Sequence, residues 1–135
     1  MLITKKVKEI SNLPAGPELD LKITVALGLG SKLAPHYSTD HAMAFQLRLE
    51  MEKLGWESED RLTWMGWGDQ EDPFGYHFWF AKWVKHKRYT LDQSARDSKE
   101  APLAIARCAL LALTQMAAGG EGPATELLKE LGEKV

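Results

Sequence analysis

The spacing of apolar and polar positions divides the chain into helical and strand-like stretches. In the basic first dozen residues Ile3, Val7 and Ile10 recur at helical spacing, as a short helix or an arm would. Asn12-Leu13-Pro14-Ala15-Gly16 is a break. Pro17 suits a first helical turn, and Glu18 and Asp20 favour the positive helix start. Leu19, Ile23 and Ala26 then follow at i, i+4, i+7, until Gly28-Leu29-Gly30 ends the run. A loop with an X-Pro step, Ser31 to Tyr37, precedes the next start signal, Ser38-Thr39-Asp40. That helix should reach about Leu54, with Gly55 ending it. Its two apolar stripes, Ala42-Phe45-Leu49 and Met43-Leu47-Met51-Leu54, predict contact with two layers, or with the sheet and a partner subunit.

The period then changes to two. Tyr76 to Val84 holds five aromatics in nine residues and no Gly, Pro, Asp or Asn, which reads as a strand. Tyr76, Phe78, Phe80 and Lys82 face one way, and His77, Trp79, Ala81 and Trp83 the other. Both rows are largely apolar, so the strand is expected to be covered on both sides by helices. Arg61 to Trp67 is a second strand, with Leu62 and Trp64 on one face and Met65 and Trp67 on the other. Arg88 to Gln93 is a third. Trp56 to Asp60 reads as a lead-in, Gly68 to Gly75 as an acidic turn or loop, and Ser94 to Glu100 as a loop. Lys85-His86-Lys87 joins two strands without the Gly or Asn that a tight hairpin favours.

Pro102 opens a run to about Ala118 that is apolar over most of its circumference, and this should be the most buried helix. Gly119 to Pro123 stops it, and Ala124 to Leu131 is a short amphipathic helix. The expected fold class is α+β: a three-stranded antiparallel sheet layered with helices, in the order α-α-β-β-β-α plus a short C-terminal helix. Residues 1–12 form an arm or short helix, 13–118 the domain, and 119–135 a tail helix.

Composition narrows the function. With 135 residues, 44% hydrophobic and 27% charged, the chain matches one globular domain. A net charge of −2 disfavours a dedicated nucleic-acid binder. Cys108 is the sole cysteine, so neither an internal disulfide nor a cysteine-based zinc site is available. No stretch reads as a membrane span, and residues 1–6 lack the apolar core of a signal peptide.

Several groups could carry chemistry. Lys82, Lys85, Lys87 and Arg88, interleaved with Trp79, Trp83 and Tyr89, join cations that take phosphate to rings that stack on bases. The plain alternative is a solvated hairpin end over core tryptophans. Tyr37, Ser38 and Thr39 precede a helix start that could receive a phosphate, although Asp40 places a negative charge there and capping accounts for the same residues. His36, His41, His77 and His86 lack carboxylates at metal-binding spacing. The acidic runs 57–60 and 69–72 could mimic nucleic-acid phosphates or bind a hard cation, but such runs are commonly solvated loops. Cys108 has no sequence neighbour to activate it. Neither a nucleophile elbow nor a phosphate-binding glycine loop is present, and no cofactor is implied.

Three segments carry a resemblance: Gly16-Pro17-Glu18-Leu19-Asp20, Pro35-His36-Tyr37-Ser38-Thr39-Asp40, and Ala101-Pro102-Leu103-Ala104-Ile105-Ala106-Arg107-Cys108-Ala109-Leu110-Leu111. Over roughly residues 13–115 the chain resembles the phage ABA-sandwich domain family, small proteins of bacteriophages and prophages. Gly28-Leu29-Gly30 departs from the Gly-Trp often found after that family's first helix, and the Trp-rich span 64–83 and the tail lie outside its pattern. The resemblance implies a small sheet between helical layers and action in the cytoplasm of a bacterial host. It brings no reaction and no catalytic residues. The expectation that follows is a non-enzymatic phage accessory protein acting in counter-defence. It would sequester a nucleotide-type signal at Lys82, Lys85, Arg88, Trp79 and Trp83, or block a host defence protein; the two-striped helix and the tail helix add the expectation of a homo-oligomer. The alternatives are a nucleic-acid-binding phage protein and a virion structural or assembly protein.

Overall fold

Alanine, leucine and isoleucine dominate Ala101–Ala118, and good helix formers with small side chains let neighbours approach from every side. This is helix α4, and most of its residues are buried. The structure, a computed structural model, describes residues 5–29, 33–64, 74–95 and 98–130. Around α4 lie α1 (Lys5–Ser11), α2 (Pro17–Ala26), α3 (His41–Lys53) and α5 (Thr125–Glu130). Three strands, β1 (Glu57–Trp64), β2 (Phe74–Val84) and β3 (Lys87–Ala95), complete the fold, and a single 3₁₀ turn at Ser98–Glu100 leads into α4. The α+β class and the element order agree with the pattern in the sequence. By length and composition α4 would also pass for a membrane span, against the expectation that no stretch does; its burial makes it a core helix.

The sheet is antiparallel in the order β1-β2-β3, so the aromatic strand is central. Phe78 and Phe80 are fully buried, packed edge to face with centroids 4.8 Å apart. They face α4, whose Ala109, Leu110 and Leu113 are equally buried. On the far side of α4 pack α1, α2 and α5, with Val7, Leu19, Ile23, Leu127 and Leu128 in the same continuous core. The layers therefore run sheet, α4 with α3, then the remaining helices.

The opposite face of the sheet is open among the described residues, which corrects the expectation of helices on both sides. Trp83 is 63% exposed, Trp79 is half-buried, and Glu57, Glu59, Arg61, Arg88 and Asp92 beside them are exposed. The apolar alternation of His77, Trp79, Ala81 and Trp83 marks a face, and a surface patch satisfies that pattern as well as a core does.

Three boundaries also move. Strand β1 begins at Glu57, four residues ahead of the expected Arg61, and the run 57–60 that read as a lead-in or loop belongs to it. Charged residues have low strand propensity, but on an edge strand with one solvated face they are tolerated and block unwanted pairing. Strand β2 begins at Phe74, inside the expected acidic loop, and β3 runs on to Ala95. The readings on Met65, Trp67 and the acidic run 69–72 fall outside the described residues. On α3 only one stripe faces the core: Leu47 and Met51 are fully buried, whereas Phe45 is 55% exposed.

Candidate functional site

The first candidate is the loop before α3. Asp40 caps that helix, its carboxylate accepting from the amides of Ala42 at 2.8 Å and Met43 at 3.1 Å. Those are the donors an incoming anion would need. Ser38 is buried and fully engaged. Its hydroxyl donates to Asp20 Oδ1 at 2.7 Å and accepts from the amide of Gly16 at 2.9 Å. Its own amide donates to the same Asp20 oxygen at 2.8 Å. Tyr37 is buried beside it, its phenol held above the usual tyrosine range, first by burial and then by the charges of Glu50 and Asp20. Thr39 is exposed. Gly16, Asp20, Ser38 and Asp40 thus tie α2 to the start of α3, and the loop's donors serve the fold.

The aromatic-basic stretch divides between the two faces of the sheet, as the period of two requires. Lys82 and Tyr89 are paired across β2 and β3 and face the helices, while Trp83 pairs with Arg88 and Trp79 with Asp92 on the open side. The two-residue turn Lys85-His86 joins β2 to β3, with φ of 50° and 69°. Two successive left-handed residues make the type I′ geometry that matches strand twist, normally supplied by Asn-Gly. Neither Lys nor His adopts it without steric cost.

Beneath this turn, between the hairpin and the C-terminal end of α4, lies a cavity of about 280 Å³. Trp56, Lys82, Lys85, Tyr89, Met116 and Glu121 are among its walls. Trp56 forms a rigid wall: it is buried, lies edge to face with Phe80 at 6.3 Å, and donates its indole N–H to Met116 Sδ at 3.0 Å. Lys82 Nζ stands 6.0 Å from the Trp56 ring and donates to the carbonyl of Leu54 at 2.9 Å. It thereby neutralises the negative end of α3. Gly55 makes this approach possible: its φ is +95°, and a Cβ there would sit 3.3 Å from Lys82 Cε. An ammonium has three donors, so two remain for the cavity. Lys85 is exposed at the rim, and Glu121 adds a negative charge on the α4 side. Tyr89 is half-buried, with Lys87 Nζ 5.6 Å from its ring centroid. The cavity joins two ammonium groups to a tyrosine face and an indole, and its volume lies just below the usual range of ~300–1,000 Å³ for small-molecule sites.

Of the residues expected to bind a ligand, Lys82 and Lys85 meet at this cavity. Trp79, Trp83 and Arg88 lie on the other face of the sheet, and Tyr37, Ser38 and Thr39 lie in the loop before α3. Trp56, Met116 and Glu121 had no place in the sequence reading as site residues. They are distant in sequence and converge because the hairpin folds over the end of α4.

Other titratable groups are held in structural roles. Arg48 of α3 spans to β1, donating to Ser58 Oγ at 3.1 Å, with Asp60 at 3.7 Å and the Phe78 ring at 5.1 Å. The hydroxyl of Tyr76 donates to Asp60 at 3.1 Å, and burial, followed by the Asp60 charge, raises its pKa strongly. Arg107 of α4 donates to the carbonyls of Leu13 at 2.9 Å and Asn12 at 3.2 Å, fixing the break before α2. Burial pushes the Cys108 thiol up to about 12, and its S–H donates to the carbonyl of Leu91 at 3.0 Å. His77 pairs with Asp92 at 3.0 Å on the open face. Among the described residues no three His, Cys, Asp or Glu side chains converge as a metal site would require.

No family model matches the chain, and no curated protein or solved structure matches it either.

Proposed function

We propose that the chain is a non-enzymatic phage accessory protein, acting in counter-defence in the cytoplasm of a bacterial host. It captures a small anionic molecule of nucleotide type in the cavity under the β2–β3 turn. One observation carries this reading: Lys82, Lys85, Tyr89 and Trp56 share one cavity of about 280 Å³. Two cations suit a phosphate, the tyrosine face suits a base, and the volume fits a mononucleotide-sized molecule better than a dinucleotide. The phage setting rests on the resemblance of the three segments quoted above.

Native mass spectrometry of the full chain with a panel of mononucleotides, the matching nucleosides and inorganic phosphate tests it. A nucleotide adduct is expected, weakened about tenfold by Lys85→Ala, as loss of one charge-assisted contact implies. Absence of any adduct at millimolar ligand would end the small-molecule reading.

A second reading, that the protein blocks a host defence protein, is favoured by a different surface. Phe45 and Leu62, 55% and 54% exposed, flank a hollow with His41 and Arg48. Exposed apolar groups rimmed by charge suit a protein contact. Nucleic-acid binding is disfavoured on the open sheet face, where Glu57, Glu59 and Asp92 outnumber Arg61 and Arg88. A virion structural role would place the protein in purified particles.

A further inference from the structure

The open face of the sheet has an order that the ligand cavity does not use. Its outward residues stand in rows set by strand pairing. At the turn end, Trp83 stands beside Arg88. The next row is Glu57, Ala81 and Thr90, and the next is Glu59, Trp79 and Asp92. The last is Arg61, His77 and Ser94. Large, small and large side chains therefore alternate along β2 as Trp83, Ala81 and Trp79. Over Ala81 lies a hollow of about 170 Å³ walled by Trp79, Arg88 and Glu57.

We propose that this face is a self-complementary interface, and that its occupant is a second copy of this chain related by a two-fold axis that crosses the strands at Ala81. A two-fold interface needs each residue i that meets j to be matched by j meeting i. With the axis through Ala81, Trp83 of one copy lies over Trp79 of the other, and the reverse holds. Arg88 lies over Asp92, again twice. Ala81, buried beneath its neighbours' side chains, is the small residue on the axis, so the indoles on either side can close over the hollow. Sheets that pack face to face stand about 10 Å apart, a gap that tryptophan side chains from both copies fill.

Three alternative registers are poorer on charge. Moving the axis half a row toward Trp79 puts Glu57 over Glu59. Moving it half a row the other way puts Arg88 over Thr90, and the Arg–Asp pairs are lost. An axis along the strands through Trp79 puts Glu59 over Asp92 twice. In the register through Ala81 the like-charge meeting is Glu57 with its own copy, at the solvated edge, where screening is strong.

Three strands spaced ~4.8 Å apart and four outward rows ~6.8 Å apart make a patch of roughly 15 by 25 Å. That is smaller than the ~800 Å² per partner of a standard stable interface, so the dimer is reversible and forms with rising concentration. The cavity under the turn opens on the other side of the sheet, so dimerisation and ligand capture stand or fall separately.

Sedimentation velocity of the full chain from about 1 μM to 1 mM tests the proposal. A monomer–dimer equilibrium within that range is expected. Trp83→Ser should weaken it at least tenfold, as should either charge reversal, Arg88→Asp or Asp92→Arg. The double variant Arg88→Asp with Asp92→Arg exchanges the partners of the same cross-pair and should recover most of the association. A chain that stays monomeric at 1 mM overturns the proposal. So does a dimer indifferent to Trp83→Ser, or a double variant no better than the two single reversals.

Discussion

The junction of α2, α3 and α4 and the open face of the sheet make opposite uses of polar groups. At the junction they are consumed internally. Asp20 and Ser38 satisfy each other in the interior, Gly16 joins them, Asp40 closes the start of α3, and Arg107 holds two backbone carbonyls. On the sheet face Arg88, Glu59 and Trp83 are exposed, and Asp92, also exposed, has His77 as its partner. The recognisable segments of the chain, 16–20, 35–40 and 101–111, all belong to the junction. Their hydroxyls and carboxylates hold the fold together, while the surfaces proposed for binding lie in the hairpin and the sheet, where the sequence carries no motif. Recognisable polar residues in a small domain are thus no guide to its site unless their hydrogen bonds are first accounted for.

The largest test of that contrast is Asp20→Ala. Removing the carboxylate leaves the amide and the hydroxyl of Ser38 buried without their acceptor. Hydrogen bonds to a charged group contribute roughly 1.5–3 kcal/mol each, so the loss should be about 3 kcal/mol in urea unfolding. Binding of a nucleotide should be unchanged at temperatures where the variant remains folded. A loss below about 0.5 kcal/mol would mean that the junction is no lock.

Alkaline pH probes the interior in a second way. The Cys108 thiol and the Tyr76 phenol both ionise later in the folded protein than in the unfolded chain, because burial penalises the charged form. Their contribution to stability is complete below about pH 9 for the thiol and about pH 10 for the phenol. As pH rises beyond those points the unfolded chain loses protons that the folded one keeps. Each such group then costs roughly 1.4 kcal/mol per pH unit. Unfolding midpoints should therefore fall steeply above pH 9, and Cys108→Ala should remove the earlier part of the fall. A thiol reagent at pH 8 should modify Cys108 only on the timescale of unfolding.

Much of this architecture was legible in the chain. Asp40 and Gly55 bound α3 because a carboxylate suits orphan amides and a glycine accepts positive φ, both local effects. The continuous apolar circumference of α4 announced a central helix. What was not legible depended on partners distant in sequence. Glu57 to Asp60 looked like a loop because charge lowers strand propensity, yet pairing with Phe78 to Ala81 outweighs that preference. Two apolar rows on β2 suggested two covered faces, and only burial separates a core row from an exposed one. The period of two already placed Lys82 opposite Trp79 and Trp83. Closeness in sequence drew them into one group, and the cavity instead gathers Trp56 and Met116, 60 residues apart.

The smallest expected effect tests the hairpin itself. Lys85 and His86 occupy left-handed backbone that side chains with a Cβ resist, at a cost of roughly 1–2 kcal/mol per residue in the least favourable case. Asn-Gly is the pair that the type I′ turn prefers. Lys85→Asn with His86→Gly should therefore stabilise the protein, by about 1 kcal/mol once the greater entropy of an unfolded glycine is subtracted. The same change removes one of the two ammonium groups at the cavity. A natural turn that tolerates strain where a better sequence exists is consistent with a ligand contact at Lys85, since strained backbone persists most often where it serves a site. The double variant should then be more stable to heat and weaker in nucleotide binding. The single change His86→Gly should relieve part of the strain and leave binding intact. If both variants gain stability and bind nucleotide like the parent, Lys85 contributes only to the turn, and the cavity must rely on Lys82 alone for charge.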